Sequence, residues 1–565
     1  MIKGLWGMKK VAFNGLTYCL APLLAACVAD SGTGEVLQSV QFLEAASSVA
    51  EIADSASRIK ADVDFLADDA REGREAGTPG YDVAAEYVAA RLSVIGLEMI
   101  GNSWFQPVTL REGRPVLEAA AMTVTDKDGR ELELTSLKDF RIFPELSASS
   151  FSVNAPAVFV GYGVHAPSFG VDDYDGIDVE GKIVVYLTGA PEAIDSEARA
   201  HLGRGATKLA FAASRGAVGA VGLPTTASEQ RFSWERMARN PSRASVGWAA
   251  PNGKTADRTG MIGGTAFMNG ASAQILFDGS GTTYAEIKEV AENGLLPKGR
   301  DLAVSISMAG AMEFSETQSA NVIGLIEGSD PALKDEYLIL TAHLDHIGID
   351  EDKVAKGEDG INNGAMDNAL GVSVMLDAAR ALMANPPARS ILVAAVTAEE
   401  KGLIGADYLA EYPVVPGDAI IANINLDMPL MLHSFRDVVA FGGEHSSLGA
   451  VAEKAVADAG AVLAPDPIPE QGIFTRSDHY RFVQRGIPSL FLWPGFANGG
   501  EEMFTEFFST HYHQPSDEPT LPVRYDDVAR FTDANIAIAR AVANDPIRPT
   551  WNEGNIFGRL FADGE

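Results

Sequence analysis

The chain has 565 residues, which is too long for one ordinary hydrophobic core, so we expect at least two folded units. Its hydrophobic fraction of 46% and charged fraction of 21% are typical of a globular protein. A formal net charge of −33 repels nucleic acid, so we expect no DNA or RNA partner. The two cysteines are Cys19 and Cys27, so any metal site in the folded body must be built from His, Asp and Glu.

The N-terminal segment has the pattern of an export signal. Lys9-Lys10 is followed by a mostly apolar stretch at 11–26, and small residues lead into Cys27. Leu24-Ala25-Ala26-Cys27 also resembles the bacterial lipobox, which implies cleavage before Cys27 and acylation of its sulfur. Plain export with a coincidental cysteine is the alternative.

The export signal predicts a location. We expect residues 1–27 to be a signal peptide and residues 28–50 a flexible tether. The mature protein would lie in the envelope of a bacterial cell, attached to the membrane through a lipidated Cys27, or be secreted. Because Val28 rather than Asp follows the cysteine, the outer membrane is the expected membrane.

In chain order, the predicted elements alternate between helices and apolar strands. The stretch 51–66 is predicted to be helical, and 81–95 is predicted to be a helix that Gly96 ends. Near-continuous apolar runs predict strands at 104–110, 320–326, the start of 337–348, 390–398, 419–428 and 488–493, and helices lie at 369–384, 446–459 and 525–543. Strands that are buried on both faces between helices indicate an α/β sheet with parallel character.

Residues 113–299, called the insert below, have a different pattern. They are rich in Val, Gly and turn residues, and short strands are predicted at 157–160, 183–187 and 218–223. This pattern predicts a mostly β module that is inserted into the α/β unit. Residues 546–565 are expected to form a C-terminal tail.

Acidic and imidazole side chains fall at the ends of the predicted strands, where ligands bind in open α/β sheets. His343 and Asp345 are two positions apart on a strand, so both are predicted to face one site, whereas His346 faces the other way. We expect His343 to bind a metal and the Asp345 carboxylate to accept its second ring N–H, which would orient the ring.

Further acidic stretches have the same placement. Asp367 lies among small residues before a helix, where one carboxylate would bridge two ions. Glu399 and Glu400 follow a strand, and neighbouring buried carboxylates repel unless a cation compensates them. Asp427 ends another apolar strand, and the stretch 511–518 carries two histidines. Together these residues predict a metal site, with a structural or non-metal acid/base cluster as the alternative.

With these stretches in place, the sequence resembles the co-catalytic di-zinc exopeptidases of peptidase clan MH, which include bacterial leucyl aminopeptidase and glutamate carboxypeptidase. The resemblance also rests on the leader FLADDAREGREAGTPGYDVAAEYVAARL. It implies a three-layer α/β/α peptidase domain with a mixed, largely parallel sheet, built from residues 51–112 and 300–545. The insert, with GYGVHAPSFGVDDYDGIDVEGKIVVYLTGAP, resembles the protease-associated domain.

The family pattern implies two zinc ions and assigns their ligands. His343 and Asp427 would bind one ion, Glu400 and His513 the other, and Asp367 would bridge them, with a cis peptide bond to Asn368.

The resemblance also implies that Glu399 is the general acid/base. His513 is preferred over His511 because the family's histidine directly precedes a segment like Gln514-Pro515-Ser516-Asp517. The segments 475–480 and 493–496 are expected near the site, where they would either line a pocket or pack the sheet.

The implied function is a broad zinc aminopeptidase that acts on peptides. A zinc carboxypeptidase or dipeptidase of the glutamate carboxypeptidase kind stays open, with Arg476 as the candidate to grip a terminal carboxylate. A non-catalytic surface-binding lipoprotein and a single-metal glutaminyl cyclase stay open as well.

Overall fold

The structure, a computed structural model, describes residues 54–143, 146–256 and 262–563. The predicted signal peptide, the tether and Cys27 lie outside the described residues. Among the described residues, no helix combines the length and the apolar character that crossing a membrane requires.

The described part begins with two helices and a strand, namely α1 (Ser55–Leu66), α2 (Pro79–Ile95) and β1 (Phe105–Pro115). Helix α2 starts where the sequence directs it, because the Thr78 side chain accepts the N–H of Tyr81 and Pro79 occupies the first turn. It ends at Gly96, whose left-handed backbone (φ 102°) closes the helix as predicted.

The insert contains ten short strands within its described residues, β2 (Ala121–Asp126), β3 (Glu131–Leu134), β4 (Phe140–Ile142), β5 (Ser150–Phe159), β6 (His165–Ala166), β7 (Val171–Asp172), β8 (Ile183–Leu187), β9 (Gly219–Leu223), β10 (Ser245–Ala249) and β11 (Thr265–Met268). Its helices are α3 (Ser196–Leu202), α4 (Gly205–Ala213), α5 (Thr226–Arg231), α6 (Trp234–Ala238) and α7 (Tyr284–Glu292). The three predicted strands fall in β5, β8 and β9, which are parallel neighbours. The insert is therefore more helical than expected, and its identity as a protease-associated domain stays a prediction.

A single 27-residue strand, β12 (Arg300–Ile326), joins the insert to the rest of the sheet. Residues 300–311 pair with β5 and β2, which belong to the insert. Residues 312–322 pair with β1, and residues 322–326 continue along the next strand of the main sheet. Residues 300–311, which were expected in the α/β unit, thus pair with strands of the insert.

The remaining elements follow in chain order as β13 (Tyr337–His343), α8 (Glu351–Ala355), α9 (Leu370–Ala384), β14 (Ser390–Val396), α10 (Ile404–Glu411), β15 (Ile420–Asn425), β16 (Asp437–Phe441), α11 (Leu448–Asp458), β17 (Val462–Ala464), α12 (His479–Val483), β18 (Ser489–Pro494), α13 (Gly500–Thr510), α14 (Tyr525–Asn544) and α15 (Ile556–Gly558). The main sheet has the order β17-β16-β18-β15-β13-β14-β12. Strands β14, β13, β15 and β18 run parallel to one another, while β12 and β16 are antiparallel to their neighbours β14 and β18. The expected mixed, largely parallel sheet is confirmed.

The central strand β13 shows how the layers form. Leu338 and Leu340 pack into the hydrophobic cluster that includes α1, α9 and α14, whereas Ile339 packs on the opposite face with residues of α10 and α12. Because successive side chains of a strand point to opposite faces, a continuous apolar run is buried between two helical layers. The α/β/α architecture is confirmed.

The C-terminal segment 546–563 packs against the body and does not extend as a free tail. Phe557 is fully buried, and its ring contacts those of His201, His445 and Phe474. Trp551 Nε1 donates to the carbonyl of Gly486 at 2.8 Å. The aromatic residues of this C-terminal segment thus extend the hydrophobic core.

Candidate metal centre

The candidate site forms where three neighbouring parallel strands end. His343 is the last residue of β13, Glu399 and Glu400 follow β14, and Asp427 follows β15. Because parallel strands share a direction, their carboxyl ends meet at one edge of the sheet and bring these four side chains together.

Two groups of potential ligand atoms share Asp367. The ligand atoms of His343, Asp367 and Asp427 lie within 4.8 Å of one another, and those of His346, Asp367 and Glu400 do so as well. His343 Nε2 lies 3.2 Å from Asp367 Oδ1 and 3.3 Å from Asp427 Oδ1. The structure thus brings together the predicted ligands, with Asp367 between the two groups.

The structure distinguishes the two C-terminal histidines. His513 Nε2 lies 3.3 Å from Asp367 Oδ2 and 3.2 Å from Glu400 Oε2. His511 instead directs Nδ1 toward the carbonyl of Ser516 at 3.0 Å. The arrangement supports His513 as the ligand candidate.

The expectation that His346 faces away from the site is wrong. His346 is buried, and its Nδ1 lies 2.7 Å from Glu400 Oε1 and 3.8 Å from Asp367 Oδ2. Strand β13 ends at His343, so the two-residue alternation does not extend to position 346. Sequence periodicity carries no signal for this turn.

The expected contact between the Asp345 carboxylate and His343 is also wrong. His343 Nδ1 lies 3.0 Å from the backbone oxygen of Asp345. The Asp345 carboxylate instead accepts the backbone N–H groups of Glu399 at 3.0 Å and of Glu400 at 3.3 Å. Asp345 therefore holds the turn that carries the two glutamates, and burial raises its pKa to about 6.

The loop that carries Asp367 is held by side chains that the sequence reasoning missed. The Asp517 carboxylate accepts the N–H groups of Met366 at 2.9 Å and Asp367 at 3.1 Å. Asn368 Nδ2 donates to the carbonyl of Leu426 at 3.0 Å, next to Asp427. The peptide bond between Asp367 and Asn368 is cis, as the resemblance implies.

The imidazoles and carboxylates of the site are electrostatically complementary. Burial alone would lower the pKa of His513, but its contacts with Asp367 and Glu400 raise it to about 10. Burial likewise opposes ionisation of Asp367, yet its contacts with His343 and His513 hold its pKa well below the usual range. Positive charge on these imidazoles thus offsets the charge of the carboxylates, and a bound divalent cation would do the same.

Glu399 differs from its neighbour. It belongs to neither donor group among the described residues. Burial raises its pKa well above the usual range against the opposing charge of His343, and the like charges of Glu400 and Asp478 add to the rise. It is therefore an acid beside the donor groups that readily holds a proton.

Imidazole and carboxylate donors suit zinc. Despite the short distance between the two side chains, Glu400 Oε1 and His513 Nε2 are buried and make no hydrogen bond of acceptable geometry with the described residues. Polar atoms in this state are costly, and coordination of a cation would satisfy them. The residues present thus fit bound zinc.

A cavity of about 60 Å³ opens onto the donor atoms. Beyond the acidic and imidazole residues, its wall is mainly apolar and consists of Met428, Ile473, Phe491, Trp493, Phe508 and Tyr512, with Arg476 and Ser477. Arg476 and Ser477 of the segment 475–480, and Trp493 of the segment 493–496, thus line the cavity. Phe508 and Tyr512 were missed, although the aromatic run from Phe504 to Tyr512 precedes His513 directly.

A third donor group, formed by Glu197, Glu444 and His445, lies outside this cavity. Asn555 Oδ1 accepts two backbone N–H groups of α15, so its Nδ2 faces His445 and donates to Nδ1 at 2.9 Å. The imidazole proton then lies on Nε2, where Glu197 accepts it at 2.5 Å. Glu197 lies in α3 of the insert and His445 lies in the α/β part of the chain, so this group forms a contact between the two.

Parts of the chain are similar to known proteins. Residues 321–539 match the sequence model of peptidase family M28. The aminopeptidase YwaD of Bacillus subtilis is 30% identical over 218 residues, which are 36% of this chain and 40% of that protein. A probable zinc metalloprotease of Leptosphaeria maculans is 33% identical over 91 residues, or 16% of this chain and 20% of that protein. The chain thus spans less than half of either curated relative.

The chain is also similar, at low sequence identity, to proteins of solved structure. An aminopeptidase from Aneurinibacillus sp. strain AM-1 is 18% identical, with a TM-score of 0.46 and coverage of 90% of this chain and 98% of that chain. BSAP, a zinc aminopeptidase from Bacillus subtilis, is 17% identical, with a TM-score of 0.42 and coverage of 87% and 96%.

The family match begins within β12 and ends within α14, so it includes all five predicted metal ligands and Glu399. The resemblance to clan MH is thereby confirmed at the level of the family: residues 321–539 belong to peptidase family M28.

Proposed function

We propose that the protein is a di-zinc exopeptidase, an aminopeptidase that releases N-terminal residues from peptides. The observation that carries the proposal is the sharing of Asp367 by two donor groups, with Glu399 beside them as an acid in neither group. A shared carboxylate suits two neighbouring ions, and a separate acid suits proton transfer.

Each ligand has an assigned place. His343 and Asp427 would hold one ion, and Glu400 and His513 the other, with Asp367 between them. Two bound zinc ions would lower the pKa of a water and stabilise the oxyanion that develops on the scissile carbonyl. His346 lies 2.7 Å from Glu400 Oε1, where it orients that carboxylate.

Glu399 moves the proton. Its carboxylate accepts a proton from the attacking water and returns it to the nitrogen of the leaving amine. Because Glu399 belongs to neither donor group, its carboxylate stays free to carry that proton when the other carboxylates hold cations. The hydrogen bond from its backbone N–H to Asp345 fixes the turn on which it lies.

The cavity supports cleavage at a chain end. Apolar residues such as Met428 and Ile473 line it beside the donor atoms of Asp367 and Asp427. The aromatic walls of Phe491 and Trp493 suit an apolar side chain, and the surrounding carboxylates suit a free α-amine.

One observation favours a second candidate, a zinc carboxypeptidase. Arg476 lines the cavity and is exposed. A guanidinium in this position can bind a terminal carboxylate through two parallel hydrogen bonds.

A panel of short peptides separates the two candidates. One set has a free amine and an amidated C-terminus, and the other has a blocked amine and a free carboxylate. We expect the zinc-loaded protein to cleave only the free-amine set, and we expect chelation to abolish cleavage until zinc is restored. Cleavage of the blocked set, with loss in Arg476→Ala, would establish the carboxypeptidase instead. Cleavage that persists after complete metal removal would refute both.

A further inference from the structure

Arg74 is completely buried beneath the site, and its guanidinium donates to four backbone carbonyls. Nε donates to Leu344 at 2.9 Å, and Nη2 donates to Gly364 at 3.0 Å. Nη1 donates to Leu66 at 2.7 Å and to Asn363 at 2.6 Å. A planar guanidinium with five N–H donors can span several carbonyls in this way, which an ammonium cannot do.

Three of these carbonyls belong to the loops that carry metal ligands. Leu344 directly follows His343, and residues 363–364 lead into the turn that carries Asp367. The backbone around Arg74 adds to this contact, because the Arg74 carbonyl accepts the N–H of His346 at 3.2 Å. A single side chain thus joins the end of β13 to the Asp367 loop.

The backbone at this point is unusual. Glu72, Gly73 and Arg74 all have positive φ, with values of 50°, 68° and 46°. At Gly73 a Cβ atom would lie 2.6 Å from the carbonyls of Asn362 and Gly348, so only glycine fits. Non-glycine residues keep a positive φ only where surrounding contacts fix them, and such residues are common at functional sites.

The charge of Arg74 also matters. Burial lowers its pKa to about 10, so it remains a cation at neutral pH, and the carboxylates of Asp517 and Asp367 favour the charged form. A permanent positive charge lies beneath a cluster of acids that must stay close together before any ion binds.

We propose that Arg74 is a positioning residue that holds the His343 and Asp367 loops in register for two metal ions. The part that concerns metal affinity rests on the proposed function, whereas the ordering of the two loops does not.

Arg389 offers a matched control. It is also completely buried, and it donates to the carbonyls of Val542 at 3.3 Å and Pro546 at 3.2 Å and to Glu336 Oε2 at 2.6 Å. It precedes β14, at the end of the sheet opposite the site. Arg74→Lys and Arg389→Lys therefore each replace a completely buried guanidinium with an ammonium, one beneath the site and the other away from it.

Two measurements test the proposal on the full chain. In metal-free protein, hydrogen exchange should become faster in residues 344–348 and 363–369 of Arg74→Lys and stay unchanged there in Arg389→Lys. In zinc titrations, Arg74→Lys should bind about 10- to 100-fold more weakly than wild type, whereas Arg389→Lys should match it.

The two measurements test different parts of the proposal. Unchanged exchange in Arg74→Lys, or the same increase in Arg389→Lys, would overturn the positioning role. If wild type takes up no zinc, the proposed function falls, and exchange in the metal-free protein still decides whether Arg74 orders the loops.

Discussion

Glu399 and Glu400 are adjacent in sequence but have opposite surroundings. Burial and nearby acids raise the pKa of Glu399 well above its usual range. Although burial opposes it, contacts with His346 and His513 lower the pKa of Glu400. The pKa values of two consecutive carboxylates are thus shifted in opposite directions.

The same substitution should therefore have different effects at the two positions. We expect Glu399→Gln to bind zinc like wild type and to lose about 10²- to 10⁴-fold in kcat, because only the proton carrier is removed. Glu400→Gln should lose zinc affinity directly. Metal analysis after dialysis and steady-state kinetics check both variants, and full turnover by Glu399→Gln contradicts its assigned role.

Some residues of the site can be predicted from the sequence, and others cannot. Asp427 is predictable from its place after a buried strand, whereas Asp367 and His513 follow no strand and are assigned through the family resemblance. His346 and Arg74 could not be placed, since their positions depend on how the chain turns after a strand or helix ends. The Asp345 role was wrong for the same reason: its carboxylate turns toward a neighbouring loop.

At the scale of elements, the apolar runs were the reliable signal. Strands β13, β14 and β15 are predictable because they are buried on both faces and flanked by helices. Shorter elements such as β17 and α12 were not predicted, since three to five residues do not show a period.

Leu340 tests how far β13 supports the site. Its side chain is 2% exposed and packs against the helical layer three residues before His343. We expect Leu340→Ala to lower the free energy of unfolding by about 2–5 kcal/mol through lost burial and a cavity. Leu132→Ala, at a position 49% exposed in β3, should change it by less than about 0.5 kcal/mol. Denaturant unfolding measures both, and equal effects would show that β13 is not a critical part of the core.

At the scale of the whole molecule, helix α3 connects the insert to the peptidase part. Glu197 accepts from His445 Nε2, and one turn later His201 Nδ1 accepts from the Tyr480 hydroxyl. Burial and the nearby charge of Arg204 lower the pKa of His201 to about 3. This contact therefore requires a neutral imidazole.

The neutral imidazole predicts a dependence of stability on pH. The ordinary pKa of 6.5 applies to His201 in the unfolded chain, so between pH 6.5 and about 3 the unfolded chain binds one more proton than the folded protein. Stability should therefore fall as the pH decreases through this window, by about 1.4 kcal/mol per pH unit for this group. His201→Gln should lose that part of the slope in denaturant unfolding of metal-free protein. An unchanged slope would show that His201 is protonated in the fold.

Strand β12 determines how the insert can be removed. A deletion that ends at residue 299 would leave residues 300–311 without the partners β5 and β2. That stretch would become a bare edge with free backbone N–H and C=O groups, which invites association between chains. Excision of residues 116–311, with a short turn inserted between Pro115 and Met312, would instead keep the whole pairing of β1 with β12. It would free only the five residues of β1 that pair with β10, and it is the shorter protein in which the insert's contribution to catalysis can be measured.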